Sequence, residues 1–401
     1  MKSNIKTVDY SATRITGGFW REKQDLVRNA TIHAVYNRFK ETGRIDAVKC
    51  DWREGMDEQM KPHHYWDSDV VKWIEGVAYL SMEKSEPELE AICDINEEFL
   101  KSRGDEFGVE RRYTDFYEML KDGGFDCVIL VTPDQIHREH AVAACEAGYH
   151  VLCEKPLAQT VEDCEAMVAA AKKTGVKFMT GQVCRKAPGF IKAKELVDAG
   201  KIGELFFVES EYAHDYQFMK PLWRKDPVNL RYSIIGGGCH AIDLLRWIAG
   251  DPEKVMALAN RKVLTDWPVD DCTIAVMQFP NNVVGKIFCG IGVKRQYTMR
   301  TCLYGTTGTI ICDNTSPTIK IYRMTCDENG KHSYPDEDIP VDIANHNVTA
   351  EIRDMCMAII NDTELECDAH EGANTVAVGL AAVESAAKGG EPVVPQYFYK
   401  K

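Results

Sequence analysis

The stretch Ala147-Gly148-Tyr149-His150-Val151-Leu152-Cys153-Glu154-Lys155-Pro156 reads as the end of a helix, a glycine break, a short apolar strand and a Glu-Lys-Pro exit. Gly148 suits the left-handed position that closes a helix. The strand delivers Lys155 to its carboxyl end, which is where open α/β sheets bind ligands. A lysine held there can polarise or protonate a substrate oxygen.

The same alternation extends outward. Leu89 to Cys93 is a short apolar run ending at Asp94. Cys127 to Val131 (Cys-Val-Ile-Leu-Val) has the unbroken apolar character of a buried parallel strand. Thr132-Pro133-Asp134 ends it, and a helix is predicted from about Ile136 to Ala147. Thr160 is the expected N-cap of a helix reaching Lys173, and Val176 to Thr180 is the next strand. Strands alternating with helices imply right-handed crossovers and a parallel sheet. Beyond Cys184 the pattern changes. A helix (188–199), a strand (204–212) and a helix (241–248) precede six β-rich segments between Val255 and Tyr322. Period-2 alternation and turn residues such as Asn281-Asn282 predict a large open antiparallel sheet. Helices at 347–360 and 373–387 follow.

Several motifs carry a family resemblance from about Leu89 to Pro395. They are Thr132-Pro133 with His137, Glu154-Lys155-Pro156, Gly203-Glu204, Gly236-Gly237-Gly238 leading to His240 and Asp243, and Gly305 with Gly308-Thr309. Together they resemble the Gfo/Idh/MocA oxidoreductases. The resemblance implies an α/β fold with a Rossmann domain over 89–183. A second α/β domain over 184–401 would bind substrate and build a homo-oligomer, a dimer or tetramer, through its sheet.

One part of that pattern is missing. A Rossmann domain opens with strand, Gly-x-Gly-x-x-Gly and helix, and an acid about 20 residues on holds the adenosine ribose. Asp94 fits the acid, yet no such fingerprint precedes it. Residues 1–88 instead predict an α-helical extension, with helices near 24–42 and from Ser68 to Met82. Val70, Trp73, Ile74, Val77 and Leu80 form an apolar stripe on the second. Through Trp66-Asp67-Ser68-Asp69 and Gly43-Arg44-Ile45-Asp46 this block resembles the start of family 127 glycoside hydrolases, without that family's catalytic residues. The expectation is a chimera joined near Pro87 to Asp94, with an incomplete Rossmann sheet lacking its central strand. The rival is a natural protein with a diverged cofactor loop.

The chemistry expected is hydride transfer between NAD and a CH–OH group of a sugar, polyol or derivative, impaired by the missing glycine loop. Removal of the alcohol proton needs a base with a suitable pKa. His240 is the candidate, with Lys155 bonding the same oxygen and Asp243 orienting the histidine or binding a substrate hydroxyl. Many members of the family carry an aspartate four residues before this histidine, where the chain has Gly236. Asp94, Thr132, Pro133, His137, Glu154, Lys155 and Gln182 are the expected cofactor contacts, and Asp94 favours NAD over NADP because it would repel a 2′-phosphate. Tyr212, His214 and Asp215 follow a strand end and are candidate contacts to sugar hydroxyls, with a plain polar loop as the equal alternative; Arg185 and Lys186 are candidate substrate contacts, with a solvent-facing position as theirs. Two other readings stay open: an NAD-dependent glycosidase of the same fold, and a non-catalytic or defective product.

Composition bounds the rest. The 401 residues are 45% hydrophobic and 27% charged, with a net charge of −14 and a pI near 5.3. That balance argues against nucleic-acid or anionic-membrane partners. No run is apolar enough to span a bilayer and no leader-like apolar core opens the sequence, so a cytoplasmic location is expected. Fifteen cysteines without a Cys-x-x-Cys pair predict reduced thiols and no metal site.

Overall fold

The computed structural model describes residues 88–398, except 220–221, 229 and 344–345. The helical extension and glycoside-hydrolase likeness expected over 1–88 therefore lie, but for Glu88, outside the described residues.

The first half contains five parallel strands, each but the last followed by a helix. These are β1 (Ala91–Cys93), α1 (Glu97–Phe107), β2 (Arg111–Tyr113), α2 (Phe116–Asp122), β3 (Cys127–Leu130), α3 (His137–Glu146), β4 (His150–Glu154), α4 (Val161–Thr174) and β5 (Phe178–Gly181). Local chemistry sets the boundaries. Gly148 stands at φ +87°, and the Tyr149 amide donates back to the Ala144 carbonyl at 3.0 Å, closing α3. The Thr160 hydroxyl accepts the Asp163 amide at 3.1 Å and starts α4. The polar β2 (Arg-Arg-Tyr), α1 and α2 escaped the sequence reading.

These strands form two sheets among the described residues. β1 pairs with β2, and β3, β4 and β5 pair in that order. No ladder joins β1 to β3. A cleft of about 870 Å³ lies between them, lined by Leu89 to Ile95 of one edge, Cys127 to Thr132 of the other, and Ile352, Met355 and Ile359.

The second half contributes α5 (Pro188–Asp198), β6 (Leu205–Ala213), the short α6 (Ser233–Gly236), α7 (Cys239–Ala249), β7 (Lys254–Asn260), β8 (Cys272–Gln278), β9 (Val284–Gly290), β10 (Thr298–Gly305), β11 (Gly308–Asp313), β12 (Thr318–Arg323), the β13–β14 hairpin (Thr325–Cys326, His332–Ser333) and β15 (Asp336–Pro340). Helices α8 (Val348–Asn361) and α9 (Ala369–Ala387) complete it. The large sheet has eight strands in the order β15-β12-β11-β10-β6-β9-β8-β7. The expected large open sheet is present and mostly antiparallel, with one parallel pair, β6 and β9. The chain leaves β6 through α6 and α7 before the β7-β8-β9 meander returns, and such a crossover is what a parallel pair requires. Alternation along β8 buries Thr273, Ala275 and Met277 and exposes Ile274 and Val276. The inner face packs on α7 and α9.

Helix α9 belongs to both cores. Its Ala369, Ala373 and Val376 pack with β4 and α4, and its Val378, Ala381 and Ala382 pack in the core of the large sheet. The two halves thus share a buried rod, and the site lies along their junction.

Candidate active site

Lys155 leaves the carboxyl end of β4, and its position is fixed from below. His137 is buried, with Nδ1 at 3.1 Å from the Pro156 carbonyl and Nε2 at 2.9 Å from the Thr132 carbonyl. It ties the β3 exit to the Lys-Pro-Leu turn. In His137, an expected cofactor contact, both ring nitrogens are engaged with backbone. Glu154 accepts the Lys155 amide at 2.9 Å. Burial works against the Lys155 charge, but Cys239 and Glu154 outweigh it and raise the ammonium pKa above its ordinary value. The lysine stays cationic through neutral pH.

His240 sits in the first turn of α7, fully buried, after the three glycines. Those glycines permit close approach. A Cβ on Gly236 would collide with the Arg231 guanidinium, and one on Gly237 would enter the Tyr212 ring at 2.5 Å. Arg231 therefore takes the space that a side chain at 236 would need. It donates from Nε to Asp134 at 2.7 Å, joining the end of β3 to the second half through a buried ion pair. Burial alone would raise the Asp134 carboxyl, yet Arg231 holds it below its usual value.

The pKa of His240 lies well below that of a free imidazole, through burial first, then the charges of Lys155 and His346. It is neutral at pH 7, as a proton acceptor must be. Its ring stacks on Tyr212 with centroids 6.3 Å apart and lies 5.7 Å from His346. The Tyr212 hydroxyl meets Tyr216 at 2.7 Å and His214 Nδ1 at 3.2 Å, while Tyr297 reaches His346 Nε2 at 3.3 Å. Lys155 and His240 are thus bordered by an aromatic wall with several hydroxyl and imidazole groups. Such a wall can stack on a ring and hydrogen-bond its substituents.

Among the described residues no hydrogen bond joins Asp243 to His240. Both Asp243 oxygens accept from Arg185 at 2.7 Å, and Thr375 donates to the same carboxylate at 3.0 Å. His240 Nδ1 has no hydrogen-bond partner among the described residues. The buried guanidinium of Arg185, an expected substrate contact, is held by Asp243, Glu371 and the Glu366 carbonyl. This fork locks the β5 exit to α7 and α9. Lys186 is likewise paired, with Asp354 and Glu366, and Asp215 with Lys294.

Of the expected cofactor contacts, Asp94 stands at the end of β1 and takes the Asn96 amide at 2.8 Å. Thr132 and Pro133 follow β3, and Gln182 follows β5. Thr132 Oγ1 and Gln182 Oε1 are buried without a hydrogen-bond partner among the described residues. Sequence reading missed Asp134, Arg231, Tyr216, Tyr297 and His346. Asp134 directly follows the Thr132-Pro133 motif and Tyr216 lies just past His214 and Asp215; Arg231, Tyr297 and His346 are brought in from distant loops.

The chain matches two family profiles: "Oxidoreductase family, NAD-binding Rossmann fold" over residues 75–182 and "GFO/IDH/MocA C-terminal domain" over 190–311. Together they cover more than half of its length.

The chain belongs to the Gfo/Idh/MocA family.

Its first half is thus an NAD-binding Rossmann domain by descent, and the profile begins ahead of Leu89. Among Gfo/Idh/MocA relatives, the chain is 28% identical to levoglucosan dehydrogenase of Pseudarthrobacter phenanthrenivorans, over 56% of the chain and 65% of that protein. It is 29% identical to myo-inositol 2-dehydrogenase of Thermotoga maritima, over 57% and 69%. For 1,5-anhydro-D-fructose reductase of Ensifer adhaerens the figures are 28%, 71% and 84%. The chain therefore spans about two thirds of the first two relatives. The structure of levoglucosan dehydrogenase with NADH and levoglucosan superposes with a TM-score of 0.72 at 24% identity, over 81% of the chain and 97% of that one. That likeness establishes the fold. These relatives are named dehydrogenases and a reductase, and the glycosidase alternative finds no support among them.

Proposed function

We propose that the protein is an NAD-linked oxidoreductase acting on a CH–OH group of a sugar or polyol. The observation that carries this reading is the pairing of a cationic Lys155 with a neutral, buried His240 beneath an aromatic wall, in a chain of this family. Lys155 would hydrogen-bond the substrate oxygen and lower the alcohol's pKa, and His240 would take the proton. Tyr212 and His214 would position the substrate hydroxyls, while Arg185 and Asp243 hold the β5 exit and α7 in register. NAD would supply the hydride acceptor.

The described residues fit part of that cofactor. Asp94 at the β1 end suits a ribose diol, and the unmatched polar atoms of Thr132 and Gln182 suit its other end, with Pro133 and Glu154 bordering the same strand ends. The break between β1 and β3 supports the inference that a central strand and its glycine loop are missing or displaced, with cofactor binding weakened. A junction near residue 88 with a glycoside-hydrolase-like block would account for that. The outer face of the large sheet exposes Met256, Leu258, Ile274, Val276 and Val284, which supports a homo-oligomer built on it. Buried cysteines such as Cys145, Cys153 and Cys164 are free thiols, consistent with a reducing cytoplasm. Among described residues no helix is long and apolar enough to cross a membrane.

Calorimetric titration of NAD into the full chain tests the reading. A variant with an ordinary strand, glycine loop and helix inserted before Asp94 runs in parallel. Binding by both sends the chain directly to a screen of cyclic polyols and anhydro sugars. Binding by the variant alone identifies a dehydrogenase disabled at its pyrophosphate site. Binding by neither overturns the reading.

A further inference from the structure

Cys184, His240 and His346 converge beside Lys155 from three separate elements: the turn after β5, the start of α7 and the loop before α8. Each presents one ligand atom, and these three atoms lie within 4.8 Å of one another. Tetrahedral zinc, with bonds of about 2.3 Å to sulfur and 2.0–2.1 Å to nitrogen, requires ligand separations of roughly 3.3–3.6 Å. Side-chain shifts of about an ångström would close the set. Thiolate and imidazole donors select thiophilic borderline cations over magnesium or calcium.

Independent features point the same way. His240 is 1% exposed and its Nδ1 has no hydrogen-bond partner among the described residues, a costly state for a buried polar atom. The Met299 Sδ lies 3.5 Å from the Cys184 Sγ, adding a second soft sulfur. The Tyr297 hydroxyl lies 3.3 Å from His346 Nε2, the kind of outer partner that orients a ligating imidazole. His346 is partly exposed, so the set is not sealed on every side.

We propose that Cys184, His240 and His346 bind a divalent cation of the zinc class, and that its presence switches off proton transfer by His240. A neutral imidazole has a single available lone pair. Whichever nitrogen ligates the metal, the ring can no longer accept the alcohol proton. Metal and substrate proton thus compete for one group. The inhibitory half of this inference rests on the oxidoreductase reading; the binding half does not.

The test separates the two. Zinc uptake by the purified full chain is measured by competition with a chromophoric chelator, and cobalt(II) is used to record thiolate-to-metal absorption. The expected result is one tight site per chain with a thiolate band. Cys184→Ser and His346→Gln, at a buried and a partly exposed position, should each weaken that site at least about tenfold and remove or shift the band. Circular dichroism confirms that each variant is folded, and a variant that unfolds is replaced by His240→Gln. No tight site, or an undiminished one in the folded variants, overturns the proposal by assigning any uptake to other cysteines. In chain that binds NAD and turns over substrate, zinc should suppress activity reversibly, with chelator restoring it. Full activity of the zinc-loaded enzyme would overturn the switch while leaving the site.

Discussion

At the scale of single residues, the site divides into groups that act and groups that hold. On the proposed reading Lys155 and His240 would meet the substrate with opposite electrostatic histories, one kept cationic and one kept neutral. Replacing Lys155 with Met should lower turnover by about 10²–10⁴-fold, the usual size of a lost proton-transfer or charge-stabilising contact. His240→Gln should fall by a similar factor and should also lose the acid limb of the kcat/KM profile. That limb reports protonation of the base, and because the folded His240 titrates well below 6.5, it should lie below pH 6.5 in the wild type. Steady-state kinetics across pH, with any substrate the screen yields, check both.

Glu351 belongs to neither class. It is 1% exposed, neither carboxyl oxygen has a hydrogen-bond partner among the described residues, and burial followed by the charge of Glu154 raises its pKa well above 4.5. The unfolded chain loses this proton near pH 4.5 while the folded chain keeps it. Folded-state stability therefore falls as pH rises from 4.5 toward the folded pKa. Glu351→Gln removes that dependence. Its melting temperature should match the wild type near pH 4 and exceed it increasingly toward pH 8, as scanning calorimetry would show.

Among elements, the ones read correctly are those whose signals are local. Gly148, Thr160 and the unbroken apolar Cys127–Leu130 each fix a boundary by their own chemistry. Elements stabilised from outside were not legible. β2 is three polar residues supported by β1, and β15 (Asp-Glu-Asp-Ile-Pro) is an edge strand that takes its conformation from β12. The parallel β6–β9 pair is a property of connection, which alternation does not encode. At the site, Lys155 and His240 stood out because motifs surround them. The roles of Asp243 and Arg185 depended on a meeting across 58 positions of sequence, and only the folded chain shows that they serve each other. The Asp134–Arg231 pair is similar in kind, linking β3 to the loop before α6. Breaking a buried pair strands the remaining charge, so Asp134→Asn should cost about 3–5 kcal/mol in denaturant unfolding.

The whole molecule shows uneven integrity. The eight-stranded sheet is continuous, but the parallel strands fall into β1-β2 and β3-β4-β5 with a cleft between them. Amides of Ala91 to Cys93 should exchange faster than those of Val151 to Cys153 by orders of magnitude, measured by hydrogen–deuterium exchange. Equal protection across both would show that the two sheets open as one. On the opposite side, Leu258 and Ile274 are cross-strand partners on the exposed face. Leu258→Glu should place a charge in any sheet-to-sheet contact and shift sedimentation toward monomer without lowering the melting temperature of the subunit.

Helix α9 carries a consequence for how the chain is made. The ribosome finishes both sheets before it reaches Ala369, yet the hydrophobic interior around β4 and α4 is closed by Ala369, Ala373 and Val376. The nascent Rossmann half must wait for nearly two hundred further residues, keeping that patch uncovered throughout. Synthesis rate over 184–368 and access to chaperones, more than native stability, should then govern the yield of folded protein.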